Sequence, residues 1–212
     1  MPPTAARRGP GRPPAAKSDE TRRRIVSAAR QVFSERGYDG ATFQAIAVRA
    51  DLTRPAINHY FASKRVLYRE VVDQTSELVV IAGIERARRE PTLLRRLAAF
   101  ITVAMEADEK NPSTAAFLAT AVLESQRHPD LGRSENDPVA SSRKFLIWAV
   151  HDAVERGELI AGIQVAPLAE ALLLVLCGVG FYAGFVGSYR EMADIIAALR
   201  QLMAGTLWTS EA

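Results

Sequence analysis

The stretch 42–61, TFQAIAVRADLTRPAINHYF, constrains the fold of this chain more than any other. Thr42 is a favourable N-cap, and Phe43, Ile46, Ala47 and Ala50 follow at helical spacing on one face. Asp51-Leu52 interrupts the pattern, and Thr53 is a second N-cap. Pro55 follows in the first turn of the next helix, where backbone N–H groups have no intrahelical partner to lose. Ala56, Ile57 and Tyr60 share one face of that helix, and Arg54, Pro55, Asn58 and His59 share the other. Two short helices, a tight turn and a polar outer face on the second helix make a helix-turn-helix. The face carries the chemistry a DNA major groove requires. Arginine can donate to guanine and asparagine can pair with adenine, while Thr, His, Tyr and Lys can hold phosphates. A hairpin packed in an all-helical core, its polar face merely solvated, is the competing reading.

The flanking residues separate the two. IVSAARQVFSERGYDGAT precedes the motif and HYFASKRVLYREVV follows it. Ala29, Phe33, Gly37-Tyr38, Ala41-Thr42, Ile46-Ala47, Ala50, His59-Tyr60-Phe61, Ser63-Lys64 and Leu67 occur in one ordered series. On these residues the segment 21–72 resembles the DNA-binding domain of TetR-type transcriptional regulators. One departure is Asp51, where that family usually has glycine in the turn; Asp tolerates left-handed backbone better than most residues.

The resemblance implies an all-α protein. A three-helix helix-turn-helix domain stands at the N-terminus, and a helical ligand-binding and dimerisation domain follows. The expected divisions are a disordered basic arm at 1–17, the DNA-binding domain at 18–62, a connecting helix at 63–90 and the helical body at 91–212. The expected DNA surface is Gln44, Thr53, Arg54, Pro55, Asn58, His59, Tyr60 and Lys64. Arg54 and Asn58 are expected on bases, with Pro55 against a thymine methyl. Thr42, Thr53, His59, Tyr60 and Lys64 are expected on phosphates. An effector bound in the body would shift the connecting helix and spoil the spacing of the two readers.

Charge distribution agrees with this division. Residues 1–70 hold fourteen Lys/Arg against six Asp/Glu, and the remainder holds thirteen against eighteen. A basic first third on an acidic body suggests a nucleic-acid module joined to a non-binding one. The opening MPPTAARRGPGRPPAAK has no apolar stretch of a signal peptide. Its Gly11-Arg12-Pro13 resembles the core of an AT-hook, which makes Arg12 a candidate minor-groove contact. The single cysteine, Cys177, supports no disulfide framework, consistent with a cytoplasmic protein that associates with the nucleoid on DNA.

The first helix is predicted from the Ser18 N-cap to Gly37, with Ile25, Ala28, Ala29, Val32 and Phe33 as its buried stripe. Arg22, Arg23 and Arg24 are candidates for phosphate contact or solvation. Beyond Pro91 the apolar periodicity is helical throughout, apart from a brief alternation at 159–165. The run 171–189 has no charged residue, which admits a membrane span, a buried core helix or a dimer interface. Its Gly180-x-x-x-Gly184 would let another helix approach closely. The family resemblance assigns 165–204 to a homodimer interface. A dimer would suit a palindromic double-stranded operator, read by helices roughly 34–36 Å apart.

No metal-ligand spacing joins His59, His128 and His151, and no phosphate-binding glycine loop follows a strand. Neither an enzyme nor a cofactor is expected. Phe100, Met105, Phe117, Trp148, His151 and Phe181 are candidates to line the pocket of a small apolar or amphipathic effector. An architectural DNA-binding protein without an effector is the alternative function.

Overall fold

The computed structural model describes residues 14–131, 137–187 and 189–205. These residues are helical with no strand, so the alternation at 159–165 is a loop rather than sheet. Residues 1–13 of the basic arm, with Arg12, and Ser188 lie outside the described residues, whereas 14–17, expected to be disordered, are helical. The helices are α1 (Pro14–Gly40), α2 (Phe43–Arg49), α3 (Arg54–Tyr60) and α4 (Lys64–Ser76). A π-helical turn, Glu77–Ile81, joins α4 to α5 (Ala82–Ala87). Then follow α6 (Leu93–Lys110), α7 (Thr114–Arg127), α8 (Pro138–Glu155), α9 (Val165–Phe185) and α10 (Tyr189–Met203).

Two boundaries differ from the sequence reading. α1 begins at Pro14 and not at the Ser18 cap. Proline is accommodated in the first turn, and Ala15, Ala16 and Lys17 are good helix formers. The predicted connecting helix is one path, but not uniformly α-helical, because the π turn widens it midway. Gly37 breaks α1 as expected: its φ of 67° is left-handed. Asp51 takes up the left-handed turn at φ 51°.

The head is built around Ile25, Ala29, Val32 and Phe33 of α1, Ile46 of α2, Ile57 of α3, and Leu67 and Val71 of α4. This core does not stop at the connecting helix. Phe117 and Ala121 of α7, with Leu131, belong to it. Phe117 lies 6.5 Å from the Phe33 ring and 5.7 Å from Tyr68, centroid to centroid. The body core gathers Val79, Val80, Leu97, Phe100, Phe145, Leu146, Val150, Leu172 and Leu173.

α7 is therefore shared between the two regions. Its Glu124 is buried, and its Oε1 accepts the Tyr38 N–H at 3.3 Å. A Cβ on Gly37 would stand 2.7 Å from that oxygen and displace the carboxylate from Tyr38, while the backbone angle itself favours glycine. His128 Nε2 lies 3.1 Å from Asp39 Oδ2 and extends the same seam.

Candidate nucleic-acid interface and body cavity

The reader is set by its caps. Thr42 Oγ1 accepts the Ala45 N–H at 3.1 Å, and Thr53 Oγ1 accepts the Ala56 N–H at 3.3 Å. Each hydroxyl proton remains available for an acceptor outside the helix. Arg24 of α1 donates to the Ala50 carbonyl at 2.6 Å and closes the end of α2. Arg22 pairs with Glu70 at 3.1 Å and lies over the Phe61 ring, while Arg23 bonds the Asp19 carbonyl. The three arginines thus serve the fold of the head. Arg49 grips Glu35 with two bonds of 2.8 Å, which ties α2 to α1.

These ties leave one polar surface free. Gln44, Thr53, Arg54, Pro55, Asn58 and His59 are exposed, as is Thr42. Ile57 is buried and Tyr60 packs partly against the core, with the His59 ring edge-on to it at 5.3 Å. The Lys64 ammonium donates to the carbonyls of Tyr38 at 2.7 Å, Ala41 at 3.1 Å and Asp39 at 3.3 Å. It also lies 4.4 Å from the Tyr38 ring centre. With its donors turned to the 38–41 carbonyls, Lys64 clamps α4 to the end of α1.

The body contains a cavity of about 360 Å³. That falls within the range of roughly 300–1,000 Å³ common for small-molecule sites. Val79 and Val80 of the π turn form part of its wall, as do Phe100, Ile101 and Met105 of α6. α7 contributes Leu118 and Val122, and α9 contributes Leu173, Leu176 and Phe181. Among the described lining residues Asp108 is the one charged side chain. Its Oδ1 accepts the Ala115 N–H at 2.9 Å in the first turn of α7. Cys177 also lines the space, and burial pushes its thiol above the ordinary value while Arg143 opposes that shift.

Residues 25–71 match the family described as bacterial regulatory proteins, tetR family. The chain is 31% identical over 206 residues to the HTH-type transcriptional regulator SrpR of Pseudomonas putida, covering 92% of this chain and 86% of that protein. The chain belongs to the TetR family. It is also similar to the transcriptional regulator UidR of Escherichia coli K12, at 24% identity over 92% of this chain and 96% of that one. The crystal structure of the TetR-family regulator PfmR from Thermus thermophilus shares the fold, with a TM-score of 0.68 at 22% identity. That match covers 84% of this chain and 96% of PfmR.

TetR-family members are transcriptional regulators and not enzymes. In this TetR-family chain the six expected pocket residues divide evenly. Phe100, Met105 and Phe181 line the cavity. Phe117 does not, because it is wholly buried in the head core. Trp148 does not, because Arg96 and Arg88 stack on its ring at 4.5 and 5.4 Å. Arg96 is itself held there by Asp152 at 2.5 Å. His151 is exposed on the outer face of α8, beside Glu155 at 3.3 Å.

Asp108 is absent from the expected pocket, yet its signal is in the sequence. Leu97, Ile101, Ala104 and Asp108 recur at four-, three- and four-residue steps along α6, so an acid stands on an apolar stripe. The Gly180-x-x-x-Gly184 motif is half used. A Cβ on Gly184 would meet the Ala116 Cα of α7 at 2.6 Å, whereas Gly180 has open space.

Proposed function

We propose that this TetR-family regulator is a homodimeric repressor, released from a palindromic operator when a small apolar or amphipathic effector fills the body cavity. The carrying observation is that the cavity wall and the support of the reader are the same elements. Val79 and Val80 extend the path of α4, whose Leu67 and Val71 support the head. Leu118 and Val122 face the cavity from α7, whose Phe117 and Ala121 lie in the head core. An effector that prefers one arrangement of this wall shifts the head by linkage, to the extent of that preference. The π turn supports the reading, since such turns occur often at functional sites.

On the DNA side, Arg54 and Asn58 read bases and Pro55 packs against a thymine methyl. Thr42, Thr53, His59 and Tyr60 hold the backbone and fix the register, with Gln44 on the same surface. The working divisions are the head at 18–62, the connecting path at 63–90 and the body at 91–212. The protein acts in the cytoplasm, at the nucleoid when bound to DNA.

Dimerisation is supported by α9, which is long and apolar enough to cross a membrane by length and composition. Leu174 is 73% exposed, Val186 61%, Phe181 54% and Phe185 51%. So large an apolar face is stable in water only when covered. We assign it to the pairing of two copies through 165–204. The test is sedimentation of the full chain without detergent, with and without Leu174→Glu. A dimer that becomes a monomer, with loss of tight operator binding, is expected. A chain that stays in solution only with detergent overturns the assignment.

A further inference from the structure

We propose that the cavity takes a lipophilic cation: an apolar body carrying an ammonium or amidinium group held by Asp108. This rests on the reading of the cavity as the effector site and names the chemical class. The walls offer hydrocarbon from Phe100, Ile101, Met105, Leu118 and Leu173. Asp108 is the one charged side chain among the described residues that line it. In such surroundings a carboxylate attracts a cation far more strongly than in water, and it disfavours the carboxylate of a fatty acid. Asp108 is also fixed in place. The Ala115 N–H holds its Oδ1 at 2.9 Å, which leaves lone pairs on both oxygens for a ligand donor.

Asp108 reaches the head as well. Arg30 of α1 is only 4% exposed, and its Nε has no hydrogen-bond partner. Burial pushes the Arg30 guanidinium down from its ordinary value, and the field of Asp108 pulls it back up. A ligand cation on Asp108 would therefore compete with Arg30 for the field of the same carboxylate.

The experiment compares three probes of one chain length on the full protein, each below its micelle concentration: decylammonium, decanol and decanoate. Binding is followed by calorimetry, and protection from alkylation of Cys177, which is exposed on α9 and lines the cavity, is read at one protein concentration so that dimerisation is the same in every arm. Decylammonium is expected to bind about ten-fold or more tighter than decanol, a step in affinity of one decade. Decanoate is expected to bind weakest. Asp108→Asn keeps a carbonyl for the Ala115 N–H, and it should erase the cation's advantage while leaving decanol unchanged. Asp108→Glu should keep the preference, and it carries the test together with the parent protein if Asp108→Asn does not fold. Decanol or decanoate binding as tightly as the cation, with Cys177 protected, overturns the class and leaves the cavity as an effector site. A cation preference that survives Asp108→Asn overturns the role of Asp108. Failure of all three probes to bind or protect overturns the class and the effector site together.

Discussion

The head and the body are both helical, but they differ in what they leave open. In the head, α2, α3 and α4 each begin on a hydroxyl cap: Thr42, Thr53 and Ser63. Carbonyls at the ends of α1 and α2 are claimed by Lys64 and Arg24. In the body, Thr92 and Asp137 cap α6 and α8 and Asp108 reaches the first turn of α7, but α9 begins without a side-chain cap and its apolar face lies largely open. The head has its backbone groups paired and its recognition residues free. The body leaves apolar space inside and apolar surface outside. A reader of base edges must hold atoms in register, whereas a sensor must have room for a ligand and a face for a partner. α7 belongs to both, and it is where the contrast can be broken.

Phe117→Ala is expected to have the largest effect. It opens a hole between α1, α4 and α7, and removal of a wholly buried phenylalanine costs about 3–5 kcal/mol. Denaturant unfolding should show that loss, and the head should separate from the body in the transition. A loss no greater than for a surface residue would place the joint elsewhere. Lys64→Met comes next. It keeps the stem of the side chain but strips the donor from the carbonyls of Tyr38, Asp39 and Ala41. Charged hydrogen bonds of this kind contribute about 1.5–3 kcal/mol. A lowered melting temperature is expected even without DNA. An unchanged melting temperature, with weaker binding to every DNA sequence, would return Lys64 to the phosphates.

Asn58→Ala sharpens the contrast from the other side. Asn58 is exposed, so stability should hold. Discrimination at particular base pairs should fall by about 1–3 kcal/mol. Competition binding with single-base operator variants measures it. Ser113→Gly should have the smallest effect. Ser113 sits at φ 74° before α7, a backbone that glycine adopts without strain. A gain below about 1 kcal/mol is expected in thermal unfolding, because glycine also gains freedom in the unfolded chain.

The head is nearly all legible in the sequence because its determinants are local. Caps lie next to the helices they start, and the stripes of α1 and α2 can be counted along the chain. Lys64 is one exception, because its partners in the 38–41 turn lie more than twenty residues back, and the share of α7 in the head core is another. The body is legible as helices but not as a site. Phe117 and Trp148 are aromatic residues on helical stripes, as Phe100 is, and only tertiary packing tells the three apart. Phe117 turns to the head, Trp148 is roofed by arginines, and Phe100 faces the cavity.

The central claim is that the α3 face reads a two-fold operator for a body that senses a ligand. Selection of bound sequences from random DNA tests it most directly, with the full chain at one near-physiological salt concentration, since phosphate contacts make affinity depend on salt. The account predicts a palindromic motif with half-sites about one helical turn apart, altered at defined positions by Asn58→Ala. Binding without a motif, or a motif that Asn58→Ala leaves untouched, would contradict it.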